Sequence, residues 1–203
     1  MRVKRGILVL LWAVLLPSVS CTSTKLTGSW VDQDFDDGPI TSVMVIGVSR
    51  NETTRRLYED TFVRKLAEKN VKAVASYSRL DSSEKLEREV IRGAVDAAGV
   101  ESVLITRVVG VNRKTEYYQP TYTHARYYGS MYGYYGRAYD DVYTPGYLSS
   151  YKVYELESTL YGGDSGKLIW SARSEMEEPD DLGKEISVLV GLLINDLIKK
   201  KVL

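Results

Sequence analysis

Few side chains in this chain are equipped for chemistry. Among 203 residues there is one histidine, His124, and one cysteine, Cys21. A Ser-His-Asp or Cys-His arrangement would have to recruit that single histidine as its base. A histidine-based metal site would hold only one such ligand. Ser82-Ser83-Glu84-Lys85 matches an S-x-x-K nucleophile string, but no S-D-N or K-T-G partner accompanies it. The serines are better explained as the start of a helix. Asp32 to Val43 has the acidic opening of a calcium loop, yet Asp37 stands where glycine is needed and Val43 where glutamate is needed. Carboxylate pairs remain, since two of them can hydrolyse a glycoside without histidine. Glu155 and Glu157 share one face of a strand at about 7 Å. Arg107 interrupts an apolar strand and, if buried, requires a carboxylate; Glu155 or Glu157 across the sheet would supply it. Arg55 and Glu59 form an i,i+4 pair on the first helix, read as structural. This reading predicts no enzyme, no metal and no cofactor.

The amino-terminal residues carry the firmest signal. Arg2, Lys4 and Arg5 precede an apolar run from Ile7 to Leu16, too short to span a bilayer as a helix. Ser18, Val19 and Ser20 then lead into Cys21. This segment resembles a bacterial lipoprotein signal peptide, although Ser18 stands where that family prefers leucine. The resemblance implies removal of residues 1–20, acylation of Cys21 and a tether over 21–39. Thr22, in place of Asp, implies the outer membrane, with the domain on its periplasmic face. Removal of residues 1–20 takes away three of the 27 basic side chains, leaving 24 against 27 acidic ones. That balance argues against a nucleic-acid partner.

The remaining sequence, 40–203, reads as one α/β domain. Val43–Val48 is an unbroken apolar run, the pattern of a strand covered on both faces. Ser49 and Glu52 have capping-box spacing, predicting a helix from there to about Asn70 with Tyr58, Phe62, Val63 and Leu66 on one face. Ala73–Ser78 follows as a strand. A second helix is expected from Asp81 to Gly99, with Leu86, Val90, Ile91, Ala94, Ala97 and Ala98 on its apolar face. Val103–Val111 makes a third buried strand. Tyr151–Tyr161 and Lys167–Glu175, joined by GGDSG, read as a hairpin. A terminal helix from about Asp181 to Lys200 carries Ile186, Leu189, Val190, Leu193, Ile194 and Leu197, with Val188 and Leu192 outside that stripe and available for a subunit contact. The expected fold is a two- or three-layer α/β sandwich: β-α-β-α-β, a β-hairpin and a carboxy-terminal helix on a mixed sheet of about five strands.

Residues 117–150 interrupt this order. They hold eleven of the sixteen tyrosines and only three larger aliphatic residues. So long a connection is functional or unstructured. Tyrosine offers rigid amphipathic contact area, so Tyr122, Tyr127, Tyr128, Tyr132, Tyr134, Tyr135 and Tyr139 are the candidate contacts with peptidoglycan, another glycan or an envelope protein.

The element order resembles the small α/β domains of the curli-secretion lipoprotein CsgG, the penicillin-binding-protein activator LpoB and the amino-terminal domain of TolB. Trp30, Val43–Val48 (V-x-V-I-G-V) and Arg55–Asp60 (R-R-x-Y-E-D) are similar to a family of bacterial lipoproteins, a likeness that implies membrane attachment and no activity. The expectation is a non-catalytic, outer-membrane-anchored binding or scaffolding protein. Its alternatives are a subunit of an envelope assembly or secretion complex and, more distantly, a carboxylate-based hydrolase.

Overall fold

Three consecutive residues set the layers. Val43 and Val45 are buried in one apolar cluster, while Met44 between them is buried in another. A strand that hides both faces needs helices on both sides. The computed structural model describes residues 24–36, 38–80, 88–118, 130–133, 135–136, 139 and 146–203. Residues 1–20, Cys21, Ser82–Lys85, Tyr122, His124, Tyr127, Tyr128 and Tyr134 lie outside the described residues.

The described strands are β1 (Thr24–Val31), β2 (Ser42–Val48), β3 (Lys72–Ala75), β4 (Ser102–Tyr118), β5 (Tyr147–Gly162) and β6 (Leu168–Glu177). The described helices are α1 (Glu52–Ala67), α2 (Arg88–Ala98) and α3 (Leu182–Lys199). The sheet order is β1-β6-β5-β4-β2-β3. β2 runs parallel to β3 and β4, and the other neighbours are antiparallel. The parallel pairs are those joined by helical crossovers, and the antiparallel β5–β6 pair is the one joined by the short GGDSG turn.

The sheet has six strands where the sequence led us to expect about five. The sixth is β1, which lies where a polar tether was expected and pairs with β6 at the sheet edge. Its polar composition hid it, and so did a bulge. Thr27 is an extra residue between Leu26 and Gly28, so the in-out alternation slips by one partway along.

α1 and α3 pack together on one face of the sheet, over Val45, Leu104, Leu160, Trp170 and Ala172. α2 covers the other face around Met44 and Val103, with Ile46, Val74 and Ile105 at its margin, through Ile91, Ala94, Val95 and Ala98. The sandwich is therefore three-layered over β2 and β4 and two-layered over β5, β6 and β1. Val90 and Ala97, expected on the apolar face of α2, are exposed, and Val95 takes their place. Val188 and Leu192 of α3 are half-buried within the chain.

Helix ends follow local chemistry. The side chain of Asn51, not Ser49, caps α1 by accepting from the Thr54 amide at 3.0 Å. α1 stops at Ala67 instead of Asn70 because Asn70 adopts φ +60°, a left-handed cap that lets the Val71 amide bond back to the Leu66 carbonyl. Asp181 caps α3 through the Lys184 amide. Between β2 and β4, Glu101 accepts from the Thr41 and Ser42 amides and the Thr41 hydroxyl. Partial desolvation works to raise its pKa, but these three donors outweigh that and hold the carboxyl below its usual value.

Candidate functional site

Three clusters gather the polar and aromatic side chains singled out in the sequence. The first is buried. Glu59 on α1 is fully shielded from solvent and accepts from the Arg55 Nε at 3.0 Å, the Gly47 amide at 2.9 Å, the Ser76 hydroxyl at 2.8 Å and the Tyr77 amide at 3.0 Å. Arg55 also donates to the Ser76 hydroxyl and the Leu80 carbonyl. The pair thus ties α1 to β2 and to the short 3-10 turn Ser76–Ser78 that follows β3. Both oxygens of the carboxylate accept from protein donors, three at Oε1 and one at Oε2, so its role is structural, as the i,i+4 spacing indicated. Nearby, the Tyr58 hydroxyl donates to Thr106, which shares a hydrogen bond with Ser158. Burial pushes the Tyr58 phenol well above its ordinary pKa, so it stays neutral.

The second cluster lies on the sheet face that α2 leaves open. Arg107 of β4, Glu157 of β5, Arg173 of β6 and Gly28 of β1 are neighbours in one cross-strand row. Arg107 and Arg173 each donate an Nη2 to Glu157, at 2.8 and 3.0 Å. Arg107 does pair across the sheet, but in the open: its side chain is 57% exposed. It is exposed because β4 is covered by α2 on this face only as far as Ile105. Glu155 takes no part in that row and accepts from the Asn112 side chain. Lys25 and Glu175 form the next ion pair, at 3.1 Å.

The third cluster is an arm. β4 pairs with β2 only as far as Arg107, and β6 pairs with β5 only from Val153 onward. Beyond those points β4 and β5 continue as a ribbon of six residue pairs, from Arg113–Lys152 to Tyr118–Tyr147. At strand rise that is about 20 Å. The tyrosine-rich interruption is correspondingly shorter than expected, since Tyr117, Tyr118 and Tyr147–Ser150 belong to strands, leaving 119–146 between them. The rings of Tyr118 and Tyr147 stack across the ribbon at 5.1 Å. The Tyr151 hydroxyl donates to Glu116 at 2.9 Å, and that hydrogen bond raises its pKa to about 12. Tyr117, Leu148, Tyr132, Tyr135 and Tyr139 are all exposed, and the last two rings lie 6.2 Å apart.

Sequence reasoning named Arg107, Glu157, Arg55 and Glu59 as ion-pair members, and it missed Gly28, Arg173 and Trp30 as neighbours of the charged row. Trp30 is 47% exposed on β1, one row from Arg173. Its place beside the row depends on β1 being a strand, which the polar composition and the bulge concealed.

No protein-family model and no curated protein matches the sequence. Among solved structures the chain is similar to the PelC dodecamer from Paraburkholderia phytofirmans, at 10% identity and a TM-score of 0.41, over 84% of this chain and 94% of that one. It is also similar to lipoprotein GNA1162 from Neisseria meningitidis, at 12% identity and a TM-score of 0.41, over 79% of this chain and 96% of that one.

Proposed function

We propose that this chain is a non-catalytic lipoprotein, acylated at Cys21 and held on the periplasmic face of the outer membrane, which binds or scaffolds an envelope component through the β4–β5 arm. The observation that carries the reading is the arm itself. A two-stranded ribbon is marginally stable in water without a third strand or a packed face. Among the described residues no strand pairs with its outer edges beyond the contact of Glu178 with Lys152 at its base, yet it displays Tyr117, Tyr118, Tyr147 and Leu148 to solvent. Exposed aromatic and aliphatic surface of this kind marks an interaction site. The carboxylates give no support to a hydrolytic reading: Glu59 accepts from protein donors at both oxygens, and Glu157 is held between two guanidiniums.

The anchor and the arm are separable by two variants. Cys21→Ser removes the acylated thiol and is expected to move the protein from membrane to soluble fractions, since the acyl chains supply the attachment at about 0.8 kcal/mol per buried methylene. Continued membrane association would contradict the anchor. Replacing 113–152, ribbon and connection together, by Asn-Gly, a two-residue turn suited to joining the paired Asn112 and Val153, should leave the domain folded by circular dichroism while abolishing retention on isolated cell envelopes in the Cys21→Ser background. Undiminished retention would contradict the arm's role.

A further inference from the structure

The geometry points to a binding site for an acidic saccharide on the open sheet face, centred on Trp30, Gly28 and Arg173. This site is separate from the arm. A depression of about 320 Å³ opens there, lined by Gly28, Trp30, Glu157, Ser171 and Arg173 among others. That is at the small end of ligand sites, which run from about 300 to 1,000 Å³. It exists because Gly28 contributes no side chain to the row: a Cβ built there would meet nothing within 4 Å.

The chemistry on its walls is complementary to one class of ligand. The half-exposed Trp30 indole offers a flat apolar face, which suits the C–H face of a pyranose ring, together with an N–H donor. Two guanidiniums share the single Glu157 carboxylate, so the row holds one surplus positive charge. Arg173 is 61% exposed and has donors to spare, and a guanidinium fork recognises a carboxylate in two-point fashion. Apart from Glu157, the neighbouring acidic side chains, Glu155 and Glu175, lie in the row beyond Arg173, on the side away from Trp30, and Glu175 is paired with Lys25. A ring resting on Trp30 therefore places its carboxylate toward Arg173 and its hydroxyls toward Glu157 and Ser171. A uronic-acid glycan has this combination of apolar ring face, vicinal hydroxyls and carboxylate.

The test is calorimetric titration of the full chain in detergent micelles with oligogalacturonate, using a neutral cello-oligosaccharide of equal length for comparison. The uronate should bind about tenfold or more tightly than the neutral chain, a difference of about 1.4 kcal/mol. Its affinity should fall as salt is raised. Gly28→Leu, whose Cβ would meet nothing within 4 Å, places a side chain in the depression and should weaken binding about tenfold or more with the fold intact, as should Trp30→Ala and Arg173→Gln. Replacement of 113–152 by a turn should leave uronate binding unchanged, which separates this site from the arm. Absence of uronate binding, equal binding of the neutral oligosaccharide, or full affinity in Gly28→Leu would each overturn the proposal.

Discussion

Glu59→Gln is expected to destabilise the domain by about 3–5 kcal/mol, the usual consequence of removing one member of a buried ion pair. The substitution keeps the shape of the side chain but removes its charge. Arg55, with a side chain only 4% exposed, then remains as a cation facing an amide. The new amide nitrogen is also a donor, and it must point at one of the donors that Glu59 now accepts: the Gly47 and Tyr77 amides, the Ser76 hydroxyl or the Arg55 guanidinium. Two losses therefore combine, a buried cation left with only the 3.5 Å ionic contact to the half-exposed Glu52 and a donor opposite a donor. Because small domains are stable by only about 5–15 kcal/mol, the variant should unfold at much lower urea concentration. A loss below about 1 kcal/mol for Glu59→Gln would contradict the structural role given to the pair.

The second large effect is at Trp170. This indole is fully buried on β6 beneath α1 and α3, and its Nε1 donates to Asp196 of α3 at 2.9 Å. Trp170→Ala removes the largest fully buried side chain among the described residues and is expected to cost about 3–5 kcal/mol, partly through lost burial and partly through the cavity left between sheet and helix. Trp170→Phe keeps most of the apolar contact but withdraws the donor from Asp196, which should cost about 1–3 kcal/mol. Equilibrium denaturation in urea separates the two. Equal losses for both would show that the hydrogen bond, and not the volume, dominates.

What could be read from the sequence divides along lines of periodicity. β2 was legible because five apolar residues and Gly47 form an unbroken run, and its two buried faces match that pattern. The β5–β6 hairpin was legible because Leu156, Leu160, Trp170 and Ala172 alternate cleanly with charged or polar residues. Two bulges account for most of the rest. Thr27 in β1 and Val109 in β4 are extra residues, and each moves the following side chains to the opposite face. Past Val109, Val111 falls on the α1 side of the sheet, yet β4 has run beyond the helix and the valine is exposed. A continuous apolar pattern thus overstated the buried length of this strand. Tyrosine has high strand propensity as well as contact value, so its concentration concealed where strand ends and connection begins. The site residues followed suit: Arg55–Glu59 and Arg107–Glu157 were visible as spacings, whereas Gly28, Trp30 and Arg173 meet only through β1.

The most direct test of the central claim is site-specific photocrosslinking in living cells. A benzophenone side chain placed at Tyr132 or Leu148 on the arm should give discrete crosslinked species in the envelope fraction. The same probe at Arg92, on the exposed side of α2, should give none. Equal crosslinking from the arm and from α2, or none from the arm, would contradict an arm-based binding function.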